Sequence, residues 1–253
     1  MKKTVLICGA NVIGAAAAQA LAEAGWNAAL LDADLTKAQD AVKDLPGALP
    51  LCCDPLSERS VKDAVKEAAE NFGGLNALVW ADLSMRRAPL SEVDGNVLAA
   101  SLNRNAIACL NAAKAAAPYL AAAGGGRIVN LSSVHSHVAD GFHMEYAVST
   151  SAINAITREL AVSYWKDNIQ VNTVSTCFVD GLFDDALDMD QRQKPEQISL
   201  LGRRVTGADV AKTIRFLVTC KTKCVNGSEV RADAGYLTTQ YRVGDTPFTK
   251  ITG

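Results

Sequence analysis

The chain has 253 residues, with 25 Lys and Arg against 27 Asp and Glu. Hydrophobic residues make up 49% and charged residues 21%, which supports a sizeable core and argues against disorder. A net charge of −2 leaves no electrostatic case for nucleic acid or an anionic membrane as partner, and the length fits one domain over 1–253.

The N-terminus imitates a secretory signal. Met1-Lys2-Lys3 precedes an uncharged run from Thr4 to Ala22. The run carries two periods, however. Val5-Leu6-Ile7 is continuous and apolar, like a buried parallel strand, while Ile13, Ala17, Leu21 and Ala24 recur at helical spacing. Strand, turn and helix explain it better than a leader does, and a cytoplasmic location is expected. Strand-like runs then continue at Asn27–Leu31, Ala48–Cys53, Leu75–Trp80, Arg127–Ser132, Ile169–Ser175 and Ser228–Arg231. Helical patterns lie near 13–24, 35–44, 57–72, 94–122, 146–166 and 207–220. This alternation predicts an α/β, Rossmann-type doubly wound parallel sheet of about seven strands, with functional residues just after the strands. Residues 180–201, rich in Asp, read as a lid-like insertion or a solvated acidic helix, and 240–253 as a C-terminal tail. The seven cysteines are odd in number and lack zinc-site spacing, since Cys220 and Cys224 have no second pair. Buried reduced thiols and no metal site are expected.

Gly9-Ala10-Asn11-Val12-Ile13-Gly14 follows the first strand and opens a helix, where glycines permit close approach of a pyrophosphate. Asp32 ends the second strand, eighteen residues after Gly14, and suits a ribose while repelling a 2′-phosphate. Asp54 after the third strand suits an adenine amino group. With these residues the chain resembles the short-chain dehydrogenase/reductase family over nearly its whole length. Asn105, thirteen residues before Pro118, matches the family's active-site asparagine. Arg127–Ser133 is similar to the family's fifth strand and Ile169–Val174 to its sixth. Ser133 stands thirteen residues before Tyr146, the family's serine-to-tyrosine spacing. Gly202-Arg203 through Gly227, and Asp233-Ala234-Gly235-Tyr236, resemble its C-terminal signature. The resemblance implies NAD(H) as cofactor, with Ser133, Tyr146 and Asn105 as catalytic positions and Gly9, Gly14, Asp32 and Asp54 as cofactor-binding ones.

The departures cluster at the same surface. The glycine turn is one residue short, and Val12-Ile13 stand where the middle glycine belongs, so branched side chains are expected to crowd the pyrophosphate. Trp80-Ala81-Asp82-Leu83 replaces Asn-Asn-Ala-Gly, bringing a bulky ring and an acid that repels phosphate if it faces the site. Thr176-Cys177 replaces Pro-Gly, and Gly181 the threonine that meets the carboxamide. Tyr146-Ala147-Val148-Ser149-Thr150 replaces Tyr-x-x-x-Lys. In the family the lysine lowers the tyrosine pKa and binds the nicotinamide ribose. Thr150 has neither charge nor reach, and Lys166 lies sixteen residues further on. An unassisted tyrosine is about one part in a thousand ionised at pH 7. The retained Asp32, Asp54, Asn105, Ser133 and Tyr146 also have structural explanations, since buried Ser and Tyr hydroxyls commonly serve local hydrogen bonding and Asn105 can hold a helix irregularity open.

The leading expectation is therefore a pseudoenzyme subunit that binds NAD(H) weakly or not at all. It pairs with an active short-chain dehydrogenase paralogue, as dimer or heterotetramer, through helices 94–122 and 146–166, which are apolar on more than one face. The family's assembly through these helices implies the mode. Heteromeric dehydrogenases of bacterial aromatic acyl-CoA degradation are the analogy for a substrate class. The alternatives are an active NAD(H)-dependent oxidoreductase with an atypical Ser133–Tyr146 site, and a nucleotide-sensing protein without turnover.

Overall fold

A computed structural model describes residues 2–184 and 199–238. Its strands are β1 (Thr4–Cys8), β2 (Asn27–Asp32), β3 (Leu49–Cys52), β4 (Ala77–Trp80), β5 (Gly126–Ser133), β6 (Ile169–Thr176) and β7 (Glu229–Ala232). They form one parallel sheet in the order β3-β2-β1-β4-β5-β6-β7. Strands β1, β4 and β6 are buried along their whole length, as expected when helices cover both faces; β6 does so while carrying Gln170 and Asn172, which find partners in Arg127 and the Val225 oxygen. The helices are α1 (Val12–Glu23), α2 (Leu35–Val42), α3 (Glu58–Phe72), α4 (Gly95–Ser101), α5 (Ala108–Ala122), α6 (Met144–Ser163) and α7 (Gly207–Thr219). The expected element order holds throughout. β4 begins later than the apolar pattern because the Asn76 side chain accepts the Thr4 N–H at 2.9 Å beside the ladder.

Three local features position the site. The 94–122 pattern is one rod interrupted by a π turn, Leu102–Ile107, which contains Asn105. Strand order reverses between β1 and β4, the place where such sheets bind ligands. The β1–α1 turn is packed there to backbone contact. A Cβ on Gly9 (φ +102°) would lie 2.8 Å from Asp82 Cα, one on Gly14 1.9 Å from the Gly9 carbonyl oxygen, and one on Gly207 2.2 Å from the Val12 oxygen. The start of α7 thus rests on the start of α1.

Most of the 180–201 segment, and all of the 240–253 tail, lie outside the described residues. At its described edges Asp180 and Asp184 both pair with the largely buried Arg204. The expectation of uniformly buried thiols needs correcting: Cys8, Cys53, Cys109 and Cys177 are buried, but Cys52 and Cys224 are exposed and Cys220 is half-buried. Cys52 points outward because β3 is an edge strand. Among the described residues no helix is long and apolar enough to cross a membrane.

Gly14→Ala should destabilise the fold by about 1–3 kcal/mol or more, because the clash is with backbone that cannot turn aside. Gly95→Ala, with open space around it, should be neutral or stabilising by up to about 1 kcal/mol. Urea unfolding of the two variants checks the contrast.

Candidate functional site

The nucleotide end is built from strand termini. Asp32 is half-buried, and its carboxylate accepts the Ala10 N–H at 2.9 Å and the Asp34 N–H at 3.0 Å, tying β2 to the glycine turn. Asp54 is exposed and accepts the Leu56 N–H at 2.9 Å. Asn11 caps α1. Its Oδ1 accepts from the amides of Ile13 (3.0 Å) and Gly14 (3.1 Å), while its Nδ2 donates to the Ala81 oxygen at 2.7 Å. Amides at this helix start are the ones a pyrophosphate would seek, and here a side chain of the chain itself meets them.

Two expectations about crowding are overturned. Ile13 does not stand in the phosphate approach; it is wholly buried in the core beneath α1. Val12 alone faces outward, with its Cγ1 against Gly181. The repulsion expected of Asp82 does not arise either. Arg104 grips that carboxylate with two bonds of 2.6 and 2.7 Å, so the acid is neutralised where it lies. Trp80 is enclosed in the core and does not line the cleft described next.

The reaction end centres on Tyr146, in the first turn of α6. Its phenol is buried beside Ser133, which ends β5. Burial pushes its pKa well up, Ser133 only partly opposes that, and no cation among the described residues acts on it. Thr150 lies one turn on, fully buried, with Oγ1 donating back to the Tyr146 carbonyl at 2.8 Å. Asn105 is fully buried and fully engaged. Its Oδ1 accepts the Ser84 N–H at 2.8 Å, and its Nδ2 donates to the Ser84 oxygen and the Ser149 hydroxyl, both at 2.9 Å. It therefore fastens the segment after β4 to α6 through the π turn. Thus the structure brings Ser133 and Tyr146 together and leaves Asn105 working elsewhere.

Ser133 and Tyr146 open onto a cleft of about 330 Å³, its mouth included, lined also by Met85, Cys177, Phe178 and Phe183. His135 completes that wall. Its Nδ1 is 3.2 Å from the Ser133 hydroxyl and its ring 5.7 Å from the Tyr146 ring. Behind it, Asp140 Oδ2 stands 3.5 Å from His135 Nε2 and 2.7 Å from His143 Nδ1. Burial, and secondarily His143, lower the His135 pKa against the pull of Asp140. Sequence reasoning passed over this group. The signal was available: all three histidines of the chain fall within residues 135–143.

The comparisons agree with the fold. The family profile described as Enoyl-(acyl carrier protein) reductase matches residues 9–237. The cis-4-hydroxycyclohexanecarboxylate dehydrogenase of Sinomonas cyclohexanicum is 31% identical, over 90% of this chain and 93% of its own. The D-threitol dehydrogenase of Mycolicibacterium smegmatis is 28% identical, over 92% of each. Among solved structures, a chain described as a short-chain alcohol dehydrogenase from Sinorhizobium meliloti 1021 is 26% identical. It superposes with a TM-score of 0.86, over 94% of this chain and 98% of that one.

The raised pKa of Tyr146 fixes a pH dependence. Above about pH 10 the unfolded chain releases a phenol proton that the folded chain keeps, so stability falls as pH rises. Urea melts across the alkaline range should show a shallower fall for Tyr146→Phe than for the parent. The buried thiols Cys8, Cys109 and Cys177, also pushed up by burial, contribute the same slope to both. Equal slopes would show that the phenol is not held neutral.

Proposed function

Because the chain belongs to the short-chain dehydrogenase/reductase family, we propose that it is an oxidoreductase-type subunit with impaired nicotinamide chemistry, working in assembly with an active, related chain. The environment of Tyr146 carries this reading. A family tyrosine needs a cation to approach its working pKa, and here Thr150 turns its hydroxyl back into its own helix. NAD(H), implied by the family, fits the adenosine end, where Asp32 and Asp54 stand at strand termini. It fits the pyrophosphate end poorly, since Asn11 takes the Ile13 and Gly14 amides and Val12 stands against Gly181. Binding is accordingly weak or absent.

The isolated chain should show no dehydrogenase turnover above background with secondary alcohols or ketones. Acid–base assistance contributes typically 10²–10⁴-fold, and its loss leaves little. Thr150→Lys alone should not restore turnover, because the phosphate contacts stay unmade. NADH titration separates the outcomes: binding without turnover points to a nucleotide sensor. Robust turnover by the single chain, abolished in Tyr146→Phe, overturns the impaired reading. It would establish the second one, an active oxidoreductase, which the placement of Ser133 and Tyr146 together on the cleft favours.

Assembly is read from one face of α6. Val148, Ala152, Ala155 and Val162 follow at helical spacing, and Val162 is 71% exposed. Ile107, in the π turn, is exposed as well. Short-chain dehydrogenases pair through these helices, and the partner that best fits a degenerate site is an unlike but related subunit, possessing the lysine this chain lacks. Ala155→Arg, at an exposed position, should dissociate the assembly and lower the partner's activity while leaving the fold intact. Light scattering that finds a stable monomer in the parent chain, or an unchanged assembly in the variant, rejects this interface.

A further inference from the structure

The loop between β5 and α6 gathers two imidazoles and a carboxylate whose donor atoms lie within 4.8 Å of one another: His135, Asp140 and His143. We propose that these residues form a binding site for one divalent ion of the zinc class, through His135 Nε2, an Asp140 carboxylate oxygen and His143 Nδ1. Two imidazoles with one carboxylate suit zinc and its first-row neighbours, whereas magnesium and calcium choose oxygen alone. Three protein donors also leave a position for water or substrate, as in zinc sites that do chemistry.

While the outer nitrogen of His143, Nε2, is buried without a hydrogen-bond partner among the described residues, the surroundings of His135 are those of a metal-bound histidine. Such a ring is oriented by a partner on its other nitrogen. His135 Nδ1 has one in the Ser133 hydroxyl at 3.2 Å, which turns Nε2 toward Asp140 at 3.5 Å. His143 is 2% exposed, and its ring meets that of His135 edge-on at 4.9 Å, so both imidazoles are already fixed on one side of the carboxylate. Bonds of about 2.1 Å require donors about 3.4 Å apart in a tetrahedron. His135 and Asp140 meet that spacing. His143 and Asp140, now at 2.7 Å, must exchange a hydrogen bond for the ion. Asp140 can make this adjustment, because it is partly exposed in a loop and precedes Gly141 (φ +84°).

An ion held here lies behind His135, in the wall of the cleft that holds Ser133 and Tyr146. It brings positive charge close to a hydroxyl pair whose family lysine is missing. The site itself does not depend on the proposed impairment, because binding is read without turnover.

The test is titration of the purified full chain with Zn²⁺ in competition with a chromophoric chelator, followed by the Co²⁺ visible spectrum. One ion per chain is expected, with a cobalt spectrum of nitrogen and oxygen ligands free of thiolate charge transfer. Asp140→Asn and His143→Gln should each weaken binding by at least the roughly 10–100-fold that loss of an outer partner costs. Asp140 is the safer position for folding, and circular dichroism checks both variants. Failure of the parent chain to compete with the chelator overturns the proposal. So does undiminished binding in a folded Asp140→Asn chain, or a thiolate band, which would place the metal on exposed Cys52 or Cys224.

Discussion

The site rests on a turn with no room in it. Between β1 and α1 the backbone touches its neighbours at Gly9, Gly14 and Gly207, and each contact excludes even a methyl group. That packing fixes where α1 begins, how α7 lies on it, and where the chain leaves β4 at Ala81 and Asp82. Asn11 completes the joint by bonding across to the Ala81 oxygen while capping α1. The glycines of this turn therefore have a sufficient reason to be glycine before any cofactor is considered. Their presence is evidence of the fold, and only the amides beside them bear on nucleotide binding.

The same economy explains the reaction end. Burying a phenol without a cation favours its neutral form, and the ordinary value near 10 already leaves little tyrosinate at neutral pH. Ser133 beside Tyr146 opposes this only in part, too little to reverse burial. Asn105 is spent on Ser84 and Ser149, where it closes the π turn onto α6. What remains at the cleft is a neutral hydroxyl pair beside an imidazole. That arrangement can position a substrate oxygen, but its own protein groups supply little driving force for moving a proton.

Much of the fold was legible because its signals are local. Apolar runs marked β1, β2 and β4, likeness to the family's fifth and sixth strands supported β5 and β6, and helical spacing marked the helices between them. What failed was inference from type to direction. Val12 and Ile13 are both branched, yet one is exposed and the other is core, since successive residues of a helix face different ways. Asp82 read as a free charge because its partner, Arg104, is twenty-two residues away and meets it only through the fold. The His135–Asp140–His143 group went unread for a different reason. The residues are close in sequence, but a loop has no period, so nothing in their spacing tells whether they converge.

These failures bear on how degeneracy is judged. Counted as substitutions, the Val12-Ile13 turn, Trp80-Ala81-Asp82-Leu83, Thr176-Cys177, Gly181 and Thr150 look like five separate injuries to one surface. In the structure Ile13 and Trp80 are packing residues, and Asp82 is half of an ion pair. Val12 still stands at the turn and Thr176 and Cys177 line the cleft, Thr150 leaves the hydroxyl pair without a cation, and Asn11 occupies the helix amides. The departures that reach the site are thus fewer than the substitutions counted, and they are changes of side chain on an intact frame. How far such a surface departs from its family is therefore set by the substitutions that reach it, not by their number.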